Sequence, residues 1–411
     1  MSSPRWKLFL MMVLEIFVWG AWQPKIFSYM GLLGFAPWQQ FLVGSTFGIA
    51  ALLGIFFSNQ FADRNFAAER FLFGSHLLGG IALLGAAFQH EFWPFFALFL
   101  LYGIVYVPTI SVTNSLAFAH LRDPARDFGP VRMGGTVGWI VAPWPFIFLL
   151  ADKQGPALVD ATKWIFIVAA LASFGMAAFS LTLPHTPPRT DATGLDRLAW
   201  LRAARLLRTP FVLVLFVVTF LDSVIHNGYF VLSDDFLTNR VGIGANMSMV
   251  VMSIGQVAEI VTMVVLGGVL ARLGWKWTMI VGICGHLARF GVFALFPDAQ
   301  WLIVAIQLLH GICYAFFFAT VYIFVDDVFP KDVRASAQGL FNLLIVGVGM
   351  VLASYAFPLL KVTHTVDGVT DWRGVFLVPT GLAALGALLM VLFFRPPSTR
   401  PAAAALAPGA H

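Results

Sequence analysis

Charged residues are scarce in this sequence: aspartate, glutamate, lysine and arginine make up 11% of its 411 residues. An ordinary soluble domain carries about 25%, so the composition excludes a soluble globular protein. Cysteine is scarce too, because only Cys284 and Cys313 occur, both in apolar runs. Two such residues do not indicate a disulfide framework.

Catalytic and metal-binding motifs are also lacking. The sequence contains no Gly-x-Ser-x-Gly elbow, no Walker loop and no cluster of metal ligands, and its histidines are scattered. We therefore expect no enzyme, no cofactor and no bound metal. The basic residues behind the net charge of +5 are spread along the chain, so nucleic acid is not an expected partner.

Apolar residues are abundant, at 59% of the chain, with 42 phenylalanines and 13 tryptophans. A membrane-spanning helix needs about 20 apolar residues, and the sequence offers about twelve such runs. It therefore predicts an all-α integral membrane protein with twelve transmembrane helices. The predicted spans are 8–30, 38–60, 70–88, 93–118, 130–151, 162–183, 210–232, 246–270, 277–295, 301–325, 335–360 and 373–395.

The longest polar stretch divides the predicted spans six and six. We predict a six-helix bundle at 1–183, a cytoplasmic linker at 184–209, a second six-helix bundle at 210–395 and a disordered tail at 396–411. The linker contains a basic amphipathic segment, and such helices lie on anionic lipid headgroups. Most lysines and arginines fall on the linker's side, so the positive-inside rule places both termini in the cytoplasm.

The two predicted bundles repeat each other weakly, as transporter repeats do. Charged loops follow the second and eighth spans, and each leads to a histidine in the next span, His76 or His286. Their spacing resembles the cytoplasmic loop motif of the major facilitator superfamily, in which charges clamp helix ends in one gating state. A simpler alternative is that basic loops only set the topology. The candidate gating residues are Asp63, Arg64, Arg70, Arg272 and Lys276.

Polar residues inside the spans share helix faces, because positions i, i+3, i+4 and i+7 stack on one side of a helix. Such residues are costly in a bilayer unless they face a protein interior or a watery cavity. Glu259 is the strongest candidate, whereas Arg289 has the simpler alternative of pairing with a loop acid or carbonyl groups. The stripes are Arg132, Thr136 and Trp139; Gln256 and Glu259; His310 and Tyr314; Asp222, His226, Asn227 and Phe230; and Glu15, Trp19 and Trp22.

This set of side chains indicates a class of ligand. Donors, acceptors and aromatic faces without an excess of one charge suit a neutral, polyhydroxylated solute with a flat ring. A sugar fits nearly as well as a nucleoside, whereas a multidrug exporter would need a larger and more apolar pocket. Taken alone, these residues predict a carrier of a polar, neutral solute.

Four motifs distributed along the chain are more specific: Trp19-Gly20-Ala21-Trp22, Arg132-Met-Gly-Gly135-Thr136, Met252-Ser253-Ile-Gly-Gln256-Val-Ala-Glu259 and His310-Gly311-Ile-Cys-Tyr314. They resemble the bacterial nucleoside:proton symporter family, a branch of the major facilitator superfamily. The resemblance implies a two-bundle carrier in the cytoplasmic (inner) membrane that imports nucleosides with protons by alternating access. It also implies that the nucleoside site is lined by Arg132, Thr136, Trp139, Asn227, Phe230, Gln256, Glu259, His310 and Tyr314.

The sequence departs from the family pattern at Ala315, where members commonly carry an aspartate implicated in proton coupling. A buried carboxylate suits that role because desolvation raises its pKa and lets it alternate between two charge states. The candidates that replace it are Glu259, Glu15 and Asp222. The alternatives that stay open are an uncoupled or trapped carrier, a sugar or polyol transporter, and a sensor that binds without transport. Nothing requires more than a monomer.

Overall fold

The computed structural model describes residues 5–53, 65–188, 205–329 and 331–397, and nearly all of them are helical. We call the helices before residue 188 the first helix group and those after residue 205 the second. The first group contains α1 (Arg5–Gly20), α2 (Ile26–Leu32), α3 (Pro37–Leu53), α4 (Ala68–Ala86), α5 (Phe92–His120), α6 (Pro124–Val141), α7 (Trp144–Leu149), α8 (Gly155–Thr162) and α9 (Trp164–Ser180).

The second group begins with a short 3-10 turn, Leu206–Arg208, and contains five long helices and a small hairpin. Strands β1 (Thr365–Val366) and β2 (Val369–Thr370) pair antiparallel. The helices are α10 (Pro210–Asn239), α11 (Ser248–Leu295), α12 (Gln300–Val328), α13, which runs through Lys331–Asn342, Leu343–Val348 and Gly349–Thr363, and α14 (Trp372–Phe393).

Three helices of the second group are irregular. Gly274 bends α11 because its backbone has φ 69° and ψ 177°, a conformation that favours glycine. Helix α12 contains a π-helical turn at Tyr314–Ala319, and α13 contains one at Leu343–Val348. Such turns insert an extra residue into the helix and frequently lie at functional sites. Both turns contribute side chains to the cavity described below.

The structure confirms an all-α membrane protein. Large apolar side chains such as Phe148, 80% exposed, and Trp301, 74% exposed, stand on the outer surface, where lipid would cover them. The predicted linker segment 189–204 and the tail from 398 lie outside the described residues. Within the described ranges, seven helices are long and apolar enough to cross a membrane: Phe92–His120, Gly155–Ser180, Pro210–Asn239, Ser248–Leu295, Gln300–Val328, Ala337–Thr363 and Trp372–Phe393.

Polar contacts distinguish the two ends of the helix bundle. At one end, which we call the linker end, Lys7 Nζ donates to the Thr182 carbonyl at 2.8 Å, and His120 Nε2 contacts Thr186 Oγ1 at 2.8 Å. The hairpin of β1 and β2 marks the opposite end, which we call the hairpin end. The first group therefore starts and finishes at the linker end. In the second group the rings of Phe211, near its start, and Phe394, near its finish, lie 6.5 Å apart.

A buried ion pair joins the two groups at the hairpin end. Lys25 Nζ lies 2.6 Å from Asp234 Oδ1, and both side chains are 3% exposed. Ser248 completes the cluster, because its Oγ lies 3.1 Å from Lys25 Nζ and also donates to Asp234. The cluster ties the segment between α1 and α2 to α10 and α11. It closes the groups against each other at this end.

Glycines bring α3 of the first group against α13 of the second. A Cβ added to Gly44 would lie 2.7 Å from Ser354 Oγ, and one added to Gly48 would lie 2.8 Å from the Gly347 carbonyl oxygen. No real Cβ sits so close to another heavy atom. The two helices can pack at this distance only because these positions carry no side chain.

Candidate functional site

A cavity of about 520 Å³ lies between the two helix groups. Its lining extends to Asn114, within two turns of the linker end of α5, and to Asn342 on α13. The ion pair of Lys25 and Asp234 lies beyond the opposite end of the cavity. Among the described residues, the cavity lining therefore extends toward the linker end, while the ion pair lies between the cavity and the hairpin end.

All nine side chains predicted to bind substrate border this cavity. They come from α6, α10, α11 and α12, so the two groups contribute opposite walls. The residues are Arg132, Thr136, Trp139, Asn227, Phe230, Gln256, Glu259, His310 and Tyr314. The polar lining residues that the sequence analysis did not predict to bind substrate are Gln23, Ser111, Asn114, His226, Tyr322 and Asn342.

Glycines position the two charged side chains of the cavity. A Cβ added to Gly135 would lie 2.7 Å from the NH1 atom of Arg132, so the missing side chain makes room for the guanidinium group. A Cβ added to Gly311 of α12 would lie 2.4 Å from the Glu259 backbone nitrogen. This close approach places Glu259 beside the polar face of α12. Arg132 and Glu259 thus give the two walls opposite charges.

Aromatic rings from both groups meet at the end of the cavity nearer the hairpin. The rings of Trp139 and Phe230 lie 5.7 Å apart at 74°, and the ring of Trp19 lies 5.6 Å from that of Trp139 at 81°. Edge-to-face contacts of this kind are favourable and hold ring orientations. The cluster offers flat apolar surfaces next to polar groups.

Hydrogen-bonding capacity remains available at the cavity wall. The side-chain amide nitrogen of Asn227 donates hydrogen bonds to the backbone carbonyl oxygens of Ser223 at 2.8 Å and Ile345 at 3.3 Å. The side-chain oxygen of Asn227 therefore remains available as an acceptor. Gln256 Oε1 is buried and makes no hydrogen bond within the described residues. A buried acceptor without a partner is unfavourable, so these positions suit a ligand that donates hydrogen bonds.

The simpler interpretation expected Arg289 to pair with a loop acid or carbonyl groups, and the described residues contain no such contact. The Arg289 guanidinium group is fully buried, and NH1 lies 2.7 Å from Nδ1 of His310. It also lies over the ring of Tyr229, with Cζ 4.1 Å from the ring centroid. Arg289 therefore orients His310 from behind the cavity wall. No sequence signal links it to a residue on the next helix.

The predicted proton-coupling residues occupy different environments. Glu259 borders the cavity. Glu15 is fully buried behind the wall, where it contacts His76 and Thr109. Asp222 is also buried behind the wall and accepts a hydrogen bond from His286. Of these three carboxylates, Glu259 alone borders the cavity.

Ala315 does not border the cavity. Its side chain is fully buried against Leu266 and Phe316, although Tyr314 beside it lines the cavity. Adjacent helical residues point about 100° apart, so they occupy different faces. In this structure the methyl group of Ala315 therefore lies behind the wall that Tyr314 forms and does not face the cavity.

The structure describes three of the five predicted gating residues. Asp63 and Arg64 lie outside the described residues. Arg70 and Arg272 are exposed, and Lys276 donates to the Val391 carbonyl at 2.7 Å. A different polar group stands out at the linker end. Glu69, in the first turn of α4, accepts hydrogen bonds from His185 Nδ1 at 2.7 Å and from the Thr186 backbone N–H at 3.0 Å.

The pKa of Glu69 is lower than usual. Burial raises the pKa of its carboxyl group, but the hydrogen bonds from the His185 ring and the Thr186 N–H outweigh this effect. The carboxylate also lies at a helix N-terminus, which stabilises negative charge. This contact is independent of the cavity and fastens α4 to the segment after α9.

Comparison with known proteins gives a consistent result. Residues 2–399 match the family described as nucleoside H+ symporter. The chain is 32% identical to the candidate nucleoside transporter YegT of Escherichia coli (strain K12), over 95% of this chain and 93% of that protein. It is 29% identical to the xanthosine permease of the same organism, over 94% of each chain. The crystal structure of the nucleoside transporter NupG superimposes with a TM-score of 0.84 at 25% identity, covering 96% of this chain and 100% of that one.

Proposed function

Because the chain belongs to the nucleoside H+ symporter family, we propose that it imports nucleosides across the cytoplasmic membrane together with protons. The observation that supports this most is the convergence of the nine predicted side chains on one cavity between the two helix groups. Its volume of about 520 Å³ falls within the range of small-molecule sites. Two relatives that match over most of their length are described as a candidate nucleoside transporter and a xanthosine permease.

We propose roles in nucleoside binding for five of these side chains. Trp139 and Phe230 provide ring faces on which a nucleobase stacks. Gln256 and Glu259 accept hydrogen bonds from ribose hydroxyls and base N–H groups, and Arg132 donates to base carbonyl oxygens. The binding energy comes from stacking and the orientation from the hydrogen bonds.

We further propose twelve membrane spans, arranged as bundles at 1–183 and 210–395 that the 184–209 linker connects. In this arrangement α11 supplies two spans that meet at Gly274. Both termini are placed in the cytoplasm, so the linker end is cytoplasmic and the hairpin end faces outward. The structure then corresponds to the inward-open state of an alternating-access cycle. A monomer is sufficient for this cycle.

Nucleoside binding can be tested directly on the purified protein in detergent. We expect uridine, adenosine and xanthosine to compete for one site and D-xylose to leave it unoccupied. Trp139→Ala removes a stacking face worth about 1 to 3 kcal/mol per base, so affinity should fall by roughly 5- to 150-fold. Titration calorimetry with uridine measures this change.

Trp301→Ala is the matched control, because Trp301 is 74% exposed on the outer surface. Its affinity for uridine should equal that of the unmodified protein. Competition by D-xylose, with no effect of nucleosides, would support a sugar carrier instead. Equal affinity in the Trp139→Ala and Trp301→Ala variants would contradict the proposed position of the base.

A further inference from the structure

A buried carboxylate–histidine pair occurs in each helix group. In the first, Glu15 Oε2 of α1 lies 2.9 Å from His76 Nε2 of α4. In the second, Asp222 Oδ1 of α10 lies 2.9 Å from His286 Nδ1 of α11. All four side chains are buried. Each pair links the first long helix of its group to the helix that carries the repeated histidine, so the pairs occupy corresponding places.

The polar atoms of the first pair are satisfied. His76 Nδ1 contacts Ser173 Oγ at 3.1 Å, and Glu15 Oε1 accepts from Thr109 at 2.6 Å. Tyr106 donates to the Glu15 backbone carbonyl at 2.6 Å. A buried network in which every member is bonded stabilises one arrangement of helices. The first pair is therefore a structural connection between α1, α4, α5 and α9.

The second pair is not satisfied. Asp222 Oδ2 is buried and has no hydrogen-bond partner within the described residues, and His286 Nε2 is buried there without a nitrogen or oxygen partner. The Cys313 thiol of α12 is the other polar group that contacts the His286 ring. Because Nδ1 of His286 donates its hydrogen to the Asp222 carboxylate, Nε2 is the ring nitrogen at which a further proton can add. The added proton would convert the ring to an imidazolium ion held by the Asp222 carboxylate.

His226 connects this pair to the cavity. It lies one helical turn after Asp222 on α10 and borders the cavity. Its ring centroid is 5.8 Å from that of His286 and 4.9 Å from that of His310, on which it stacks. Its Nδ1 atom is also buried without a partner in the described part of the chain. A water molecule between the two rings would connect His226 to His286 by hydrogen bonds.

The surrounding groups limit where the proton resides. Arg289 donates to Nδ1 of His310, so that ring must keep its lone pair there and stays neutral. The other titratable or charged groups that face the cluster are Tyr229 of α10, Arg289 of α11, and Cys313 and Tyr314 of α12. Two carboxylates face this cluster in the described part of the chain: Asp222 contacts the His286 ring, whereas Glu259 faces Tyr314 at the cavity wall. The cationic ring that Asp222 can balance is His286.

We propose that His286, paired with Asp222, carries the proton that drives transport, and that His226 is its route from the cavity. This inference rests on the proposed function and assigns its coupling site. On loading, a proton from the outer solution forms an Nε2–H bond on His286 while Asp222 stays ionised. On release, that bond breaks and the proton leaves through His226 to the cytoplasm. In this assignment Glu259 binds the nucleoside and does not carry the transported proton.

The test compares two transport assays on proteoliposomes that contain the full chain. Uridine exchange without a gradient measures binding and alternating access, and uridine accumulation under an inward proton gradient measures coupling. We expect His286→Gln and Asp222→Asn to keep exchange within about twofold of the unmodified protein. Their accumulation ratio, inside over outside, should fall to 1. His286→Gln keeps an N–H donor for Asp222, which favours folding.

His76→Gln is the matched control in the corresponding pair. It should lower thermal stability, yet the folded fraction should still accumulate uridine under the gradient. A second measurement covers variants that fold poorly: proton uptake when uridine binds in weakly buffered detergent, followed with a pH dye. Unmodified protein should take up protons, and His226→Phe, which blocks the route, should do so more slowly.

The outcomes separate this inference from the proposed function. Absence of uridine exchange in the unmodified protein would contradict the proposed function itself. Normal exchange together with normal accumulation in His286→Gln and Asp222→Asn would overturn the assignment of the proton to this pair. Loss of accumulation with exchange retained in Glu259→Gln, while His286→Gln and Asp222→Asn still accumulate uridine, would move the proton to Glu259.

Discussion

Removing one charge from the ion pair at the hairpin end should open that end. Lys25 and Asp234 are each 3% exposed and join the two helix groups. Lys25→Met preserves most of the side-chain volume but leaves the Asp234 carboxylate buried without its cation. The free-energy cost of burying this unpaired carboxylate applies only while the two helix groups are closed at the hairpin end. When that end opens, water reaches the Asp234 carboxylate.

The structure sets the size of the effect. Breaking a buried ion pair by removing one partner costs about 3 to 5 kcal/mol, which corresponds to a shift of roughly 100- to 3,000-fold in the equilibrium. Ser248 continues to donate to Asp234 in the variant, so we expect the lower end, roughly 100-fold. Lys25→Met combined with Asp234→Asn leaves no buried charge and should restore most of the closed population.

Cysteine accessibility measures the change. Val231 is 5% exposed and lies one turn before Asp234 on α10, between the cavity and the hairpin end. With Cys284 and Cys313 replaced by alanine, Val231→Cys should react slowly with a membrane-impermeant maleimide. Adding Lys25→Met should accelerate the reaction by roughly 100-fold.

Lys361→Met is the control, because Lys361 pairs with Asp235 at the same end but inside the second group. It should leave the labelling rate within about twofold. If Lys25→Met also changes the labelling rate of Val231→Cys by less than twofold, the ion pair of Lys25 and Asp234 does not hold the hairpin end closed.

Three further expectations concern stability. Ala315→Asp should reduce the amount of folded protein without adding coupling, because it buries a carboxylate beside Leu266 and Phe316; normal expression with increased gradient-driven uptake would contradict this. Gly138→Ala should lower the melting temperature in detergent, since the new Cβ would lie 2.2 Å from the Val13 carbonyl oxygen at a typical overpacking cost of about 1 to 3 kcal/mol; Gly175→Ala, with nothing within 4 Å, is the matched control. The lowered pKa of Glu69 means that its contact with His185 stabilises the fold fully above the ordinary pKa of glutamate, about 4.3, and loses this effect as pH falls through the lower folded pKa. The melting temperatures of the unmodified protein and Glu69→Gln should therefore differ at pH 7 and converge in strong acid, and a constant difference would contradict the assignment.

Helical periodicity explains why the cavity could be anticipated from the sequence. Arg132, Thr136 and Trp139 share one face of α6, as do Gln256 and Glu259 on α11, because a regular helix repeats every 3.6 residues. Periodicity does not indicate which stripes face each other, because this depends on how the helices pack. The resemblance to the symporter family predicted that these stripes line one site.

Other features depend on contacts that no local pattern reveals. The ion pair of Lys25 and Asp234 joins residues 209 positions apart, and neither lies in a recognisable motif. Glu15 is a mid-span carboxylate like Glu259, yet partners on three other helices satisfy its network. The π-helical turn that begins at Tyr314 also lacks a sequence signal, so the placement of Ala315 away from the cavity could not be read from spacing.

The most direct test of the account is uptake of radiolabelled uridine and adenosine into proteoliposomes with and without an inward proton gradient. We expect the gradient to drive both nucleosides to an internal concentration above the external one, and we expect a protonophore that collapses the gradient to return the two concentrations to equality. Uptake that only equilibrates, or that the gradient leaves unchanged, would contradict proton-coupled nucleoside transport by this cavity.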